Sequence, residues 1–172
     1  GDVPLLQTDS LRELVELASD NALALLTVDL ADPTGYGRVL RDARGRVKAI
    51  VEQKDATRVQ LRVREGNTGV MVAPARLLRA WLGRLRSNNA QGEYYLTDVV
   101  AMAVKNRIAV RPLKAATEAD VLGVNDKLQL AQLEAVLRSR RATAALRAGA
   151  TLVDPMRFDQ RGELTLGRDV FI

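Results

Sequence analysis

Residues 24–39 read ALLTVDLADPTGYGRV, and the fold turns on them. Ala24, Leu25, Leu26, Thr27, Val28 and Leu30 form a nearly continuous apolar run, the pattern of a strand buried on both faces. Such a strand belongs to a layered α/β fold with helices covering the sheet. The run opens into Asp32-Pro33-Thr34-Gly35, a turn sequence in which Pro and Gly serve the backbone. Gly37 then stands just before a second strand, where the missing side chain would let a ligand lie against the main chain. Residues 38–40 and 47–51, on either side of Ala43-Arg44-Gly45, read as a β-hairpin. Glu52, Gln53, Lys54 and Asp55 follow it and by themselves read as a solvated loop.

Farther along, Glu65, Gly66 and Asn67 precede a strand expected over 69–72, with the Asn67 amide at its mouth. Pro74 opens a helix holding Leu77, Leu78, Trp81, Leu82 and Leu85, and Trp81 is expected in the core. Residues 88–98, NNAQGEYYLTD, gather Gln91, Glu93, Tyr94 and Tyr95 where the helical run Leu96, Val99, Val100, Met102, Ala103 begins. Either Thr97 or Asp98 caps that helix with the tyrosines packed on it, or this polar, aromatic loop edges a ligand site. Another strand is expected over 108–113. In VLGVND, residues 121–126, Asn125 reads as the N-cap of a long helix. That helix carries Leu128, Ala131, Leu133, Val136 and Leu137, then Arg138, Arg140, Arg141 and Arg147, and is expected to end at Gly149.

The two ends carry separate signals. Asp2, followed by Val-Pro, is either a turn residue or a strand-end carboxylate able to hold magnesium beside a phosphate. Ser10 and Glu13 match a capping box for a helix with Leu11, Leu14, Val15 and Ala18, ending at Asn21. Leu152, Phe158, Leu164 and Val170 are spaced six apart, and a hexad repeat marks a left-handed or related parallel β-helix, in which three hexads close a coil. Little more than one coil is present, and solenoids gain stability by stacking neighbours, so this end is expected to be frayed or covered.

Composition limits the chemistry. A chain of 172 residues allows one domain, or one domain and part of another, and 47% apolar content suffices for a core. No apolar run approaches bilayer length, so no membrane insertion is expected. The opening residues hold neither a charged n-region nor an apolar h-region, so a cytoplasmic protein, cut from something longer, is expected. Cysteine and histidine are both absent, which excludes thiol nucleophiles, disulfides, zinc ribbons and histidine triads within these residues. Carboxylate, amide, hydroxyl, lysine and hard-metal chemistry remain. Lys and Arg total 26 against 21 Asp and Glu, a balance that suits phosphates. Aromatics are only 3%, too few for the stacking platforms of a single-strand binder, and no nucleic-acid partner is expected.

Taken in order, GDVP, DPTGYGR, IVEQKDA, EGNTG, NNAQGEYYLTD, GVND and RFDQRG closely resemble the bacterial bifunctional N-acetylglucosamine-1-phosphate uridyltransferase/glucosamine-1-phosphate acetyltransferase family, over essentially the whole chain. Each motif is weak alone; the ordered set is specific. The resemblance implies the C-terminal part of a Rossmann-like nucleotidyltransferase domain over 1–126 and a linker helix over 127–149. Over 150–172 it implies the first coil of a left-handed parallel β-helix acetyltransferase domain. It further implies that Asp2 and Asn125 bind Mg²⁺ and that Gly37, Glu52, Asn67 and Asn125 bind UDP-N-acetylglucosamine. Tyr95 and Thr97 would lie near the sugar phosphate.

The implied reaction transfers UMP from UTP to N-acetylglucosamine 1-phosphate, giving UDP-N-acetylglucosamine and pyrophosphate for peptidoglycan and lipopolysaccharide precursors. The phosphate oxygen of the sugar attacks the α-phosphorus of UTP, so no protein nucleophile is needed. A homotrimer is implied for the intact protein. These residues contain no match for the family's glycine-rich loop, nor for the part of the β-helix that carries the acetyl-coenzyme A site. The chain alone is therefore expected to catalyse neither reaction. Two other readings stay open: a related sugar-1-phosphate nucleotidyltransferase, and a noncatalytic assembly module using the basic helix and the β-helix end.

Overall fold

The structure, a computed structural model, describes residues 2–172; Gly1 lies outside the described residues. The chain divides into two compact units, Leu6–Val121 and the described residues up to Leu5 together with Leu122–Ile172. Among the described residues no helix is long and apolar enough to cross a membrane.

Leu6–Val121 is a mixed α/β layer structure. Helix α1 (Thr8–Leu17) leads to strand β1 (Leu23–Asp29), the hairpin β2 (Arg38–Arg41) and β3 (Val47–Val51), then β4 (Glu65–Val72), α2 (Ala75–Leu82), α3 (Asp98–Lys105) and β5 (Val110–Lys114). The five strands lie in the order β3-β2-β4-β1-β5, with β1 parallel to β5 and the other pairs antiparallel. Side chains alternate across a strand, so the apolar run of β1 feeds two cores. Leu23 and Leu25 pack with Val39, Ile50, Trp81, Val99, Val100 and Ala103 under α2 and α3. Ala24, Leu26 and Val28 pack with Leu14 of α1 and Val121 on the opposite face. This double cover explains a strand with almost no polar residue.

Several boundaries differ from the sequence expectations. The Ser10–Glu13 capping box is not formed: α1 starts at Thr8, its N-cap is Gln7 without a side-chain cap, and the helix ends at Leu17 rather than Asn21. Ser10 lies inside the helix, whose register is fixed by the fully buried Leu14. Ile108 belongs to a helix end, not to β5. Arg107 adopts φ 58°, and the N–H groups of Ile108 and Arg107 return to the carbonyls of Ala103 and Val104, the Schellman arrangement that closes α3.

The other unit contains α4 (Lys127–Arg147). It ends in a second Schellman arrangement, with Gly149 at φ 98° and the Ala150 and Gly149 N–H groups bound to the carbonyls of Ala145 and Leu146. Ala142, Ala145, Ala150 and Leu152 form a small core with Phe158 and Leu166. Past it, Thr151 and Phe171 make an isolated parallel bridge, supported by Thr151 N–H to Val170 O at 2.8 Å and Val153 N–H to Ile172 O at 2.8 Å. Of the residues six apart, Leu152 is buried and Phe158 and Val170 are half-buried, whereas Leu164 is 43% exposed and Leu166 packs inward instead.

Candidate functional site

Gly37, Glu52, Asn67 and Thr97 come together at one end of the β2–β3–β4 ribbon. Gly37 immediately precedes β2, Glu52 immediately follows β3, and antiparallel pairing of these strands places the two side by side. A Cβ on Gly37 would lie 3.0 Å from Ile50 Cγ2 and 3.2 and 3.3 Å from the Glu52 carboxylate oxygens. Glycine is thus required by close approach, the more so as Gly37 is buried. The Gly37 carbonyl accepts from Asn67 N–H at 2.8 Å.

Asn67 is not at the mouth of its strand, as its sequence suggested, but inside it, opposite Thr27. Between Asn67 and Met71 the register against β1 slips, and Gly69 adopts φ 79° in the resulting bulge. Asn67 Oδ1 accepts from Gly69 N–H at 3.2 Å, Thr68 Oγ1 donates to the Leu26 carbonyl at 2.9 Å, and Val70 N–H donates to Thr68 Oγ1 at 3.2 Å. These bonds hold the bulge and with it the Asn67 side chain.

Thr97 was open between helix cap and ligand edge, and its hydroxyl makes no cap bond. It donates instead to Glu52 Oε1 at 2.8 Å, and Thr97 is only 8% exposed. A charge-assisted bond of this kind fixes a carboxylate in one orientation. Around it, loop 52–56 and loop 88–97 brace each other. Lys54 Nζ donates to Gln91 Oε1 at 2.5 Å, Ala90 N–H to Asp55 Oδ1 at 2.8 Å, and Gln91 Nε2 to the Tyr95 hydroxyl at 2.9 Å. Lys54 and Asp55 read from sequence as a solvated loop and Gln91 as part of a polar edge; their pairing was hidden because it joins positions more than thirty residues apart. Loss of water raises the Tyr95 phenol above its ordinary value, and nearby Asp55 and Glu52 push the same way, against the Gln91 hydrogen bond. Asp98 is raised by burial and then by the Asp55 charge.

Arg38 was read from sequence only as the first residue of a hairpin strand. Its side chain is buried, 2% exposed, and donates from Nη1 to the Tyr36 carbonyl and from Nη2 to Gln53 Oε1 at 3.3 Å. Gln53 Oε1 also accepts from Gly35 N–H at 2.5 Å. The turn before Gly37 is further tied by Thr34 N–H to Asp32 Oδ1 at 3.0 Å, and hydrogen bonds from Thr34 hold the Asp32 carboxyl below its ordinary range.

Asp2 and Asn125 belong to the unit that contains α4 and are neighbours there. The Asp2 carbonyl accepts from Val124 N–H at 2.8 Å, directly beside Asn125. The expected N-cap role of Asn125 is corrected: Asp126 is the N-cap, accepting from Gln129 N–H at 2.8 Å, while Gln129 Oε1 takes the Asn125 backbone N–H at 2.7 Å. Capping therefore leaves the Asn125 amide group uncommitted, and Asp2 and Asn125 are both exposed. Among the described residues there is no cluster of three or more Asp, Glu, His or Cys suited to a metal. One carboxylate and one amide oxygen nonetheless fit Mg²⁺, a hard cation that takes few protein ligands and completes its shell with water and phosphate.

No protein-family model matches the chain. It is 55% identical over all 172 residues to the bifunctional protein GlmU of Azoarcus sp. BH72 and 54% identical to that of Azotobacter vinelandii, covering 38% of each. The bifunctional protein GlmU of Marinomonas sp. MWYL1 is 51% identical, again over the whole chain and 38% of the relative. The chain thus spans well under half the length of these curated relatives. A Bacillus anthracis crystal structure in complex with a sucrose, described as a glucose-1-phosphate thymidylyltransferase, aligns with TM-score 0.47 and 15% identity over 69% of this chain and 50% of that one. That likeness is too distant to bear on function.

Proposed function

We propose, from the premise that this chain belongs over all of its 172 residues to the bifunctional GlmU family, that it supplies sugar-nucleotide and metal-binding groups for uridyl transfer. In this reading UMP passes from UTP to N-acetylglucosamine 1-phosphate, yielding UDP-N-acetylglucosamine and pyrophosphate. The observation that carries it is the Glu52 carboxylate, fixed by Thr97 at 2.8 Å and set against Gly37. A carboxylate accepts from sugar hydroxyls, the Asn67 amide both donates and accepts, and Gly37 leaves main chain within reach. Tyr95 and Thr97 stand next to these groups and would flank the sugar phosphate.

Asp2 and Asn125 would hold Mg²⁺, which when bound supplies positive charge to the phosphate oxygens. The protein residues themselves orient the sugar phosphate for in-line attack and hold its hydroxyls; none acts as a nucleophile. A cytoplasmic setting goes with UTP as substrate. The experiment is Asp2→Ala in the complete protein that contains these residues. Uridyl transfer at fixed Mg²⁺ should fall at least about a hundredfold, as for loss of a key electrostatic group, with unchanged thermal unfolding. Full activity in that variant refutes the metal assignment.

We further propose that residues 150–172 begin a left-handed parallel β-helix. The parallel Thr151–Phe171 bridge, after roughly the run of chain that three hexads require, supports this. Exposed Val153, Met156, Phe171 and Ile172 beside it favour a homotrimer in the complete protein and suit an assembly role for this end of the chain.

A further inference from the structure

We infer that Arg38 is a positioning residue: its guanidinium grips the Tyr36 carbonyl and Gln53 Oε1 and thereby fixes the Gly37 main chain against the Glu52 carboxylate. The inference rests on the sugar-nucleotide reading of Glu52 and Gly37. It begins with an imbalance. Arg38 is 2% exposed, yet makes no ion pair among the described residues, and its Nε is buried without a hydrogen-bond partner. Burying a cation without a direct ion pair is costly even with the Asp32 charge nearby, so an arginine tolerated there must secure something a neutral apolar side chain would not.

What it secures follows from peptide geometry. The Tyr36 carbonyl and the Gly37 N–H belong to one planar unit, no cis peptide is present, and in a trans unit these two groups point in opposite directions. Arg38 Nη1 takes the carbonyl. The N–H therefore faces away from the guanidinium. Among the described residues it makes no hydrogen bond, although Gly37 is buried and buried main-chain donors are nearly always satisfied. A Cβ on Gly37 would lie 3.2 and 3.3 Å from the Glu52 oxygens, so the main chain that Arg38 holds is the one against which the carboxylate rests. A carboxylate held against fixed main chain suits a ligand group that donates, such as a sugar hydroxyl or an amide N–H.

The guanidinium is needed as a fork. Nη2 reaches Gln53 Oε1, which also holds Gly35 N–H, so one planar group ties the turn before Gly37 to the residue after Glu52. A lysine ammonium carries the charge but not that geometry.

The test uses the complete protein carrying Arg38→Met, Arg38→Lys or Gln53→Leu. Two readouts are taken: steady-state uridyl transfer, and hydrogen–deuterium exchange of peptides covering residues 33–40 with and without UDP-N-acetylglucosamine. Loss of one oriented hydrogen bond predicts KM for N-acetylglucosamine 1-phosphate raised about tenfold, with kcat changed less than about twofold, in both Arg38 variants. Ligand protection of residues 33–40, present in the parent, should be lost. A parent-like KM and parent-like protection in Arg38→Met, or restoration by Arg38→Lys, would overturn the inference. Should Arg38→Met fail to fold, Arg38→Lys and Gln53→Leu decide by the same criteria. A parent protein without uridyl transfer sinks the proposed function, whereas ligand protection of residues 33–40 that survives in every variant sinks only the role of Arg38.

Discussion

A methyl group at Gly37 has nowhere to go. Gly37→Ala brings Cβ to 3.0 Å from Ile50 Cγ2 and against the Glu52 carboxylate, whose position is held by Thr97. Stability should drop by about 1–2 kcal/mol, the usual cost of overpacking, while the affinity for UDP-N-acetylglucosamine falls at least about tenfold in calorimetric titration; unchanged affinity would show that Glu52 moves aside freely. Thr97→Val keeps the shape and removes the donor. Because Thr97 makes no cap bond, α3 should persist, with stability lowered by about 1 kcal/mol and KM for the sugar phosphate raised several-fold in kinetic assays. The site was only partly legible at this scale. DPTGYGR and IVEQKDA pointed to Gly37 and Glu52, but a sequence cannot tell whether a threonine at a helix start caps it or turns to a carboxylate forty-five residues away. Asn125 was ambiguous in the same way, and adjacent Asp126 took the cap.

Four strands carry a row of charge across the sheet. Arg41 of β2 binds Glu65 of β4 through Nε at 2.7 Å and Nη2 at 2.6 Å, and Lys114 of β5 binds Asp29 of β1 at 2.7 Å. Burial alone would raise the Glu65 carboxyl, but hydrogen bonds from Arg41 and Thr27 with the charges of Arg41 and Lys114 together outweigh it and leave the carboxyl below its ordinary value of 4.5. A depressed carboxylate stabilises the fold above its unfolded value and loses that contribution as pH falls through the folded one. Glu65→Gln should therefore cost about 1 kcal/mol at pH 7, and the gap to the parent should close at pH below 4.5, measured by urea unfolding across that range. The elements themselves were readable where burial is two-sided or chemistry local: β1, the β2–β3 hairpin and the long α4 stand where the pattern put them, and α2 opens after Pro74 as expected but closes at Leu82, before Leu85. The misses are at ends. Ser10 lost its cap role because packing of Leu14 set the helix register, and Ile108 was drawn into the closure of α3. The bulge at Gly69 was invisible because it exists only against β1.

For the whole molecule, the expectation concerns turnover by these residues alone. The 172 residues cover 38% of their GlmU relatives and hold no match for a glycine-rich phosphate loop, so the purified chain should release no pyrophosphate from UTP above background. Turnover by the chain alone would refute this. Within Leu6–Val121 the order of synthesis has its own consequence. β1 lies inside the sheet between β4 and β5, with Leu23 opposite Val110. Translation delivers β1 long before its β5 flank. In the interval the nascent chain carries a greasy strand with a bare edge, which makes it a natural client for ribosome-associated chaperones and a hazard wherever ribosomes stall between the two.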